Sequence, residues 1–371
     1  MRIGFDAKRL FLNNRGLGNY ARNLLSGFER LFPSEEYFLF TPELSNKLVS
    51  PELLINSNVH TKIPLGLAKL SGSYWRSYNL GDEARRNKLD VFHGLAQELP
   101  RDIKKSKAKS VVTIHDMIFL RHPEFYKPID RWIYFNKVKF AVNNADEIVA
   151  ISTQTKNDLV ETFNLREERI SVVYQSCNKV FYDKRTALEL QATKDKWALP
   201  EEFLLYVGAL NENKNVLIIL EALNTLKGKI DIPLVVVGHG ANYRKKMIEF
   251  AKRNELMSDL IFASEVANPT PLELSSFYQL ASVFIFPSFY EGFGIPILEA
   301  RFSGTPVIAS NSSCLDEAGG KESYYFKPES ADDLADYIQQ VLAQESQVTE
   351  VNEELKIDKS VKKLMEIYTR Y

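Results

Sequence analysis

The sequence predicts an α/β protein with two domains, each built on a parallel β-sheet that is covered by helices on both faces. Short apolar runs rich in β-branched residues alternate along the whole chain with longer amphipathic stretches. The apolar runs are nearly continuous, which is typical of parallel strands that are buried on both faces. A chain of 371 residues also exceeds the size of one ordinary core, which favours two domains.

The predicted elements fall into two sets, and strands alternate with helices in each set. Strands are predicted at residues 3–7, 37–41, 59–63, 90–93, 110–115, 147–151 and 170–174, and then at 203–207, 233–237, 260–263, 283–286, 306–309 and 324–326. Helices are predicted at 19–31, 130–143 and 153–163, with Ser152 or Thr153 as N-cap of the last, and then at 216–226, 243–254, 271–280, 295–302 and 331–342.

The boundary between the two sets predicts the domain organisation. Residues 176–200 are polar and charged and are interpreted as the linker. We expect an N-terminal doubly wound domain over residues 1–178 and a C-terminal one over 179–354. A helix at about 355–371 is expected to pack back on the N-terminal domain. Two doubly wound domains place ligand sites at the carboxyl ends of their strands, facing a central cleft.

Composition excludes several classes of function. The chain carries 47 basic and 48 acidic residues, which argues against a protein that coats nucleic acid. Its two cysteines, Cys177 and Cys314, have no CxxC spacing, so neither a disulfide framework nor a zinc site is indicated. The first residues lack the apolar stretch of a signal peptide, and no apolar window is long enough to span a bilayer. We therefore expect a cytoplasmic protein.

The most informative motif is PSFYEGFGIPILEA at residues 287–300. A strand ends just before it, and a helix begins near Ile295, where the following proline is tolerated in the first turn. Gly292 and Gly294 allow close backbone approach, and amides at a helix start suit a phosphate. Carboxylates repel phosphate, so Glu291 and Glu299 need another partner, and sugar hydroxyls are good partners. The alternative is that Glu291 begins a turn and Glu299 forms a surface ion pair.

The spacing of these two glutamates resembles the E-x7-E signature of retaining glycosyltransferases with the GT-B fold, glycosyltransferase family 4 (group 1) of the bacterial surface-polysaccharide type. The resemblance extends over most of the chain. It includes YVGAL at 206–210 followed by Lys214, VGHG at 237–240, SGTPVIA at 303–309 and a terminal helix at 361–368.

The resemblance implies roles for individual residues. Glu299 would bind the ribose hydroxyls of the nucleotide, Glu291 the hydroxyls of the transferred sugar, and Lys214 the diphosphate. Val266 lies in the stretch whose backbone would meet the base. The remaining positions expected to contact the donor nucleotide-sugar are Gly208, Gly238, Gly240, Gly292, Phe293, Gly294 and Ile295.

One position departs from the family pattern. Many relatives carry an arginine directly after the first glycine of the phosphate loop, where this chain has Ala209. Either another cation substitutes, with Arg9 and Arg15 as candidates, or the diphosphate depends more on amides at helix starts.

The N-terminal half offers a second set of candidates. Gly16 and Gly18 join the first strand to the first helix and allow a tight turn against a ligand, although a plain strand-to-helix turn is the alternative. His115 closes an apolar strand, and the resemblance implies contact with the donor sugar. His93, at another strand end, could line the acceptor side or be structural.

The resemblance also implies a mechanism. The donor would be a nucleoside-diphosphate sugar, with GDP-mannose slightly favoured over UDP-hexoses, and the acceptor a saccharide or lipid-linked saccharide. We expect retention of anomeric configuration, catalysis without a bound metal since no Asp-x-Asp motif is present, and no prosthetic group. Glu291, Lys214 and His115 are the predicted catalytic residues. A nucleotide-sugar epimerase and a catalytically silent nucleotide-sugar-binding protein stay open as alternatives.

Residues 101–109 carry five basic residues and one acid, and aromatic and basic residues interleave at 73–78 and 125–140. This pattern suits peripheral contact with an anionic membrane, at the inner face of the plasma membrane. A solvated face over ordinary core aromatics is the alternative.

Overall fold

The computed structural model describes residues 1–14, 16–45, 48–49, 54, 56–66, 71–263, 268–344 and 352–370. It divides into two compact units. The first consists of Met1–Ser176 together with Glu354–Tyr371, and the second of Cys177–Glu353.

The first unit is built on a seven-stranded sheet in the order β3-β2-β1-β4-β5-β6-β7, with every pairing parallel. The strands are β1 (Arg2–Asp6), β2 (Glu36–Phe40), β3 (Val59–Lys62), β4 (Val91–Gly94), β5 (Lys109–Ile114), β6 (Glu147–Ala150) and β7 (Ile170–Val172). The described helices are α1 (Lys8–Leu12), α2 (Gly16–Leu31), α3 (Gly72–Tyr78), α4 (Leu80–Arg86), α5 (Ile118–Arg121), α6 (Pro128–Asn144) and α7 (Thr153–Phe163), with Ser152 as N-cap of α7. Two apolar clusters, one on each face of the sheet, form the core.

The C-terminal helix α15 (Ile357–Thr369) belongs to this first unit and packs against α2. A Cβ atom at Gly27 of α2 would lie 2.7 Å from Val361 Cγ2, so the two helices touch there and a larger residue would have to displace Val361. The rings of Phe28 and Tyr368 stack with centroids 5.6 Å apart. The last helix therefore completes the core on one face of the N-terminal sheet.

The second unit is built on a six-stranded sheet in the order β10-β9-β8-β11-β12-β13, again with every pairing parallel. The strands are β8 (Leu204–Val207), β9 (Leu234–Val237), β10 (Leu260–Phe262), β11 (Val283–Phe286), β12 (Val307–Ser310) and β13 (Tyr324–Phe326). The described helices are α8 (Ala187–Trp197), α9 (Leu217–Leu226), α10 (Ala241–Arg253), α11 (Pro271–Leu280), α12 (Ile295–Ser303), α13 (Leu315–Gly319) and α14 (Ala331–Leu342). The predicted α/β fold class with two parallel sheets is confirmed.

The interpretation of residues 176–200 as a linker is wrong. The segment contains helix α8, which Thr186 and Glu189 cap reciprocally at its start. Trp197 at its end packs edge-on against Phe277, with ring centroids 5.4 Å apart, and its Nε1 donates to Glu273. The helix was missed because its surface is polar apart from these anchors, so no apolar period marks it. Among the described residues, no helix is long and apolar enough to cross a bilayer.

Candidate active site

The order in which the chain adds strands to the second sheet reverses between β8 and β11. The chain winds outward from β8 through β9 to β10, then returns to β11 on the other side of β8. In a parallel sheet such a switch point leaves a crevice beyond the carboxyl ends of the two strands, because their crossover helices lie on opposite faces. The loops that follow Val207 and Phe286 therefore meet at this crevice, and they carry most of the predicted donor-binding residues.

Lys214 and Glu291 come together at this switch point. Asn211 caps a single helical turn at Glu212–Lys214 by accepting a hydrogen bond from the Lys214 amide. The Lys214 ammonium forms an ion pair with Glu291 Oε1 and lies 5.5 Å from the centre of the Phe286 ring. The two side chains are only 19% and 16% exposed, so the pair is held in a partly desolvated position where its charges interact more strongly than at the surface.

Asn213 fastens the two loops to each other. Its backbone carbonyl accepts a 2.9 Å hydrogen bond from the Phe289 amide, and its side-chain Nδ2 donates a 2.9 Å hydrogen bond to the Tyr290 carbonyl. These two hydrogen bonds of Asn213, one from its backbone and one from its side chain, fix the position of Lys214 relative to Glu291. Sequence reasoning missed Asn213, since an asparagine beside a lysine carries no signal without the distant loop.

Helix α12 points its N-terminus at the same loop. Gly294, its N-cap, has φ 111°, a conformation that glycine adopts without strain. Phe293 is buried and anchors the turn, while the Glu291 amide donates to Ser313 Oγ at 3.1 Å. No described acceptor pairs with the N–H groups of Gly292, Gly294 and Ile295. Three amides at a helix start beside a lysine ammonium are an anion-binding arrangement.

Glu299 lies one turn further along α12 and is nearly fully buried. Its Oε2 accepts a 2.9 Å hydrogen bond from the Tyr278 hydroxyl on α11. Burial raises the pKa of Glu299 to about 7, although the Tyr278 hydrogen bond acts in the opposite direction. The surface ion pair that was the alternative for Glu299 is thus absent, and a buried carboxylate remains whose Oε1 has no described partner.

The glycines of the neighbouring loops mainly serve close contacts within the protein. A Cβ at Gly238 would lie 1.8 Å from the Gly208 carbonyl oxygen, and one at Gly240 1.9 Å from the Leu210 carbonyl oxygen. A Cβ at Gly208 would meet the Tyr206 hydroxyl at 2.6 Å. The loops after β8 and β9 therefore pack backbone to backbone, and the contact of these glycines with a nucleotide stays a prediction.

The contact that the structure shows at Ala209 involves its backbone and does not explain the absence of an arginine side chain. The Ala209 carbonyl accepts a 2.8 Å hydrogen bond from the hydroxyl of Tyr206, whose ring is fully buried. Arg15 and Val266 lie outside the described residues, and Arg9 belongs to the first unit.

In the first unit, Gly16 and Gly18 lie within the first turn of α2, because this helix begins at Gly16, three residues before its predicted start. A Cβ at Gly18 would fall 1.8 Å from the Asn13 carbonyl oxygen, whereas one at Gly16 would meet nothing within 4 Å. The tight turn at Gly18 is therefore made against the end of α1. Only Gly16 leaves open space where a ligand could approach.

His115 follows β5 and is buried. Gln175 Nε2 donates to its Nδ1 at 2.8 Å, so the ring proton resides on Nε2, which donates to the Leu95 carbonyl at 2.7 Å. The ring of Tyr20 meets it edge-on at 4.8 Å. Burial lowers the pKa of His115 to about 4. Both ring nitrogens are thus engaged by the protein, and a sugar hydroxyl would have to replace one of these partners.

His93 is structural. Its Nδ1 lies 2.6 Å from the Tyr368 hydroxyl of α15, and its Nε2 lies 2.8 Å from Thr113 Oγ1. The ring is fully buried, which lowers its pKa to about 3, with a smaller effect from His115. The possibility that His93 lines an acceptor site is therefore excluded in this structure, because no edge of the ring reaches solvent.

The fold and the switch-point site define a class of protein. A doubly wound C-terminal unit with an ion-paired lysine, unpaired helix-start amides and a buried carboxylate suits a nucleotide that carries a phosphate and hydroxyls. Comparison with known proteins gives the family. Residues 14–178 match the family model described as Glycosyltransferase Family 4, and residues 189–359 match the model described as Glycosyl transferases group 1. The chain belongs to the glycosyltransferases of family 4.

Individual relatives agree with this assignment. The chain is 28% identical over 260 residues to O-antigen chain mannosyltransferase B of Escherichia coli, a match that covers 69% of this chain and 66% of that protein. A glycosyltransferase from Rickettsia africae superposes with a TM-score of 0.75 at 17% identity, covering 99% of this chain and 97% of the other. The Anabaena protein HepE, solved with UDP and glucose, superposes with a TM-score of 0.73 at 14% identity. This match covers 100% of this chain and 99% of HepE. These structural neighbours establish the GT-B fold.

Proposed function

We propose that this protein is a retaining, metal-independent hexosyltransferase that moves a sugar from a nucleoside-diphosphate sugar to a hydroxyl of a saccharide or lipid-linked saccharide. The observation that carries the proposal is the Lys214–Glu291 ion pair at the β8/β11 switch point, beside the unpaired amides at the start of α12. An ammonium has three N–H donors, so Lys214 can keep Glu291 and still donate to phosphate oxygens.

The reaction follows from where charge develops. The bond between the anomeric carbon and the β-phosphate oxygen breaks, and the electron pair leaves with the nucleoside diphosphate. The acceptor oxygen forms the new bond on the same face, and its proton passes to the departing phosphate oxygen. Lys214 and the amides of Gly292, Gly294 and Ile295 would stabilise the charge on the leaving diphosphate. Because these cationic and dipolar groups are supplied by the protein, the proposal requires no metal at the diphosphate.

The carboxylates would hold hydroxyl groups. Glu291 keeps one oxygen, Oε2, outside its pair with Lys214 and could accept from a sugar hydroxyl. Glu299 offers Oε1 on a side chain that is only 9% exposed, where a hydrogen bond from a ribose hydroxyl would be stronger than at the surface. His115 would orient the sugar only if a sugar hydroxyl replaced Gln175 or the Leu95 carbonyl on its ring, and its low pKa would keep that ring neutral at physiological pH.

Mannose is the transferred sugar that we favour, with GDP-mannose as donor and cell-surface polysaccharide as product. The support is the similarity to the E. coli O-antigen chain mannosyltransferase. The similarity to HepE, solved with UDP and glucose, makes UDP-hexoses the second candidate donors.

A binding panel tests the donor site. Purified protein is titrated with UDP, GDP, ADP and dTDP and their common sugars, with and without EDTA, and the panel is repeated on Glu299→Gln. The control is Glu329→Gln, an exposed carboxylate without a described ion pair. Binding of one nucleotide that persists in EDTA and weakens only in Glu299→Gln supports the proposal. No binding to any of them would contradict the proposed donor site. Incubation with the bound nucleotide sugar alone separates the alternatives, since release of an epimerised sugar without acceptor would favour the epimerase.

We further propose that the N-terminal unit contacts an anionic membrane at its cytoplasmic face. Helix α6 exposes Ile129 and Trp132, the latter 65% exposed, although it is otherwise packed on the sheet. A groove of about 510 Å³ beside α3 combines stacked tyrosines with cations, and its lining residues are Tyr74, Tyr78, Arg101, Asp102, Lys104 and Lys105. Exposed aromatics with flanking cations suit the headgroup zone of such a membrane. Two free, buried cysteines fit a reducing cytoplasm.

Vesicle co-sedimentation tests the membrane contact. The protein is mixed with phosphatidylglycerol or phosphatidylcholine vesicles, and Trp132→Ser and Lys104→Glu are compared with Leu188→Ser, a change at an apolar residue of the second unit that is 80% exposed. We expect binding to anionic vesicles only, weakened by the first two changes and by salt. Co-sedimentation that is indifferent to lipid charge would overturn this part of the proposal.

A further inference from the structure

The N-terminal sheet also has a switch point, between β1 and β4. Strand β1 pairs with β2 on one side and with β4 on the other, so the chain winds in opposite directions from this pair. The crevice beyond the carboxyl ends of these two strands is where an open α/β sheet binds ligands. Strand β1 ends at Asp6, and α1 begins directly after it with Lys8 and Arg9. These two cations, called here the Lys8–Arg9 pair, lie at that crevice.

The carboxylates at this edge already have partners. Arg76, whose side chain is 10% exposed, donates from Nε to Asp6 Oδ2 at 2.7 Å and forms an ion pair with Glu98. Lys137 Nζ lies 2.9 Å from Glu98 Oε1. Burial alone would raise the pKa of Glu98, yet Arg76, Lys137 and Arg9 hold it below its usual value. The close ion pairs of these two acids are therefore made by Arg76 and Lys137, and Arg9 acts on Glu98 only through its charge, without a described ion pair.

The Lys8–Arg9 pair lacks such a partner. Both side chains are partly buried, and neither forms an ion pair with a carboxylate of the described residues. The pKa of Lys8 is lowered, first by burial and then by the positive charges of Arg76 and Arg9, which together outweigh the opposite effect of Glu98 and Asp6. Like charges held together in a half-desolvated crevice disfavour one another. Binding of an anion would remove this repulsion, and the crevice is therefore electrostatically prepared for a negative ligand.

We propose that the Lys8–Arg9 pair binds an anionic group of the acceptor, of the phosphate class. The inference rests on the proposed transferase function and narrows its acceptor to a phosphorylated saccharide or lipid-linked saccharide. An arginine guanidinium matches two oxygens of a phosphate at once, and a lysine ammonium adds a point charge. The diphosphate of the donor is assigned instead to Lys214 and the amides at the start of α12, which belong to the other unit.

The test uses inorganic phosphate as the probe and the whole protein. Lysines are labelled by reductive ¹³C-methylation, and the Lys8 resonance is followed by NMR as phosphate is added. We expect a saturable shift and a rise in the pKa of Lys8. Arg9→Gln should weaken phosphate binding at least about tenfold, Arg9→Lys should restore part of it, and Arg166→Gln, an exposed arginine of the same unit, should change nothing.

Nucleoside diphosphate binding is measured on the same variants, which separates this inference from the donor site. The inference is overturned if the Lys8 resonance does not respond saturably to phosphate in wild-type protein that binds nucleotide. It is also overturned if Arg9→Gln weakens nucleoside diphosphate as much as phosphate, because the cations would then serve the donor. Failure of wild-type protein to bind any nucleotide would instead contradict the proposed function.

Discussion

The hydroxyl of Tyr278 donates a 2.9 Å hydrogen bond to Oε2 of Glu299, and together they bury a carboxyl group inside the C-terminal unit. Burial dominates over the hydrogen bond, so the pKa of Glu299 is raised from 4.5 to about 7. A ribose that donated hydrogen bonds to this group would favour its ionised form. The pKa of this carboxyl group therefore lies near neutral pH in the unliganded protein, and hydrogen-bond donors from a ligand would lower it.

The first prediction concerns stability. Because the pKa of Glu299 is higher in the folded state than in the unfolded state, its contribution to the free energy of unfolding is fully present below pH 4.5 and is lost as the pH rises through about 7. The loss amounts to about 3 kcal/mol. In Glu299→Gln this dependence should disappear, so unfolding in urea at pH 5 and pH 8 should differ less than in wild type. Equal differences in the two proteins would contradict the prediction, and Glu329→Gln serves as the control.

Most strands of both sheets were predictable from the sequence because they are short apolar runs buried on both faces, as in Leu234–Val237, whereas the edge strand Val59–Lys62 is mostly half-buried. Short helices such as Lys8–Leu12 and Leu315–Gly319 were not, since five residues are too few to show a helical period. The polar helix Ala187–Trp197 was not predicted for a different reason. Only two of its residues are buried, so the sequence shows no apolar stripe at helical spacing.

In the candidate site, too, some residues could be identified from the sequence and others could not. Lys214 and Glu291 were each placed in a loop after a strand, and adjacency of these strands brings them together. Gln175 and Tyr278 escaped notice because their partners, His115 and Glu299, are brought near only by tertiary packing. A local motif contains no information about such contacts.

The second prediction concerns the ion pair at the switch point. Lys214→Ala should lower kcat by about 10²-fold, because one preorganised cation for the leaving diphosphate is lost. Lys214→Arg should retain part of the activity. The matched control is Lys227→Ala, which breaks the exposed Lys227–Glu255 pair of the same unit and should leave kcat unchanged. An equal loss in both alanine variants would show that the effect is one of stability.

The third prediction concerns His115. Its folded pKa of about 4 lies below the usual 6.5, so its contribution to stability is present above pH 6.5 and is lost as the pH falls through about 4. Between pH 5 and 8 the ring should stay neutral with its proton on Nε2. Nitrogen-15 NMR of the imidazole should therefore show no titration in this range, and the activity profile should show no step from His115. A titration near pH 6.5 would contradict the prediction, and Gln175→Leu should disturb the tautomer.

The last prediction separates two glycines that look alike in the sequence. Gly18→Ala places a Cβ 1.8 Å from the Asn13 carbonyl oxygen, and backbone must move, at a cost of about 1–3 kcal/mol or more in the free energy of unfolding. Gly16→Ala meets nothing within 4 Å, so its stability should be unchanged. If a ligand approaches the open side of Gly16, this variant should nevertheless lose kcat/KM. Urea unfolding and steady-state kinetics on both variants distinguish the roles, and full activity of Gly16→Ala would remove this glycine from the site.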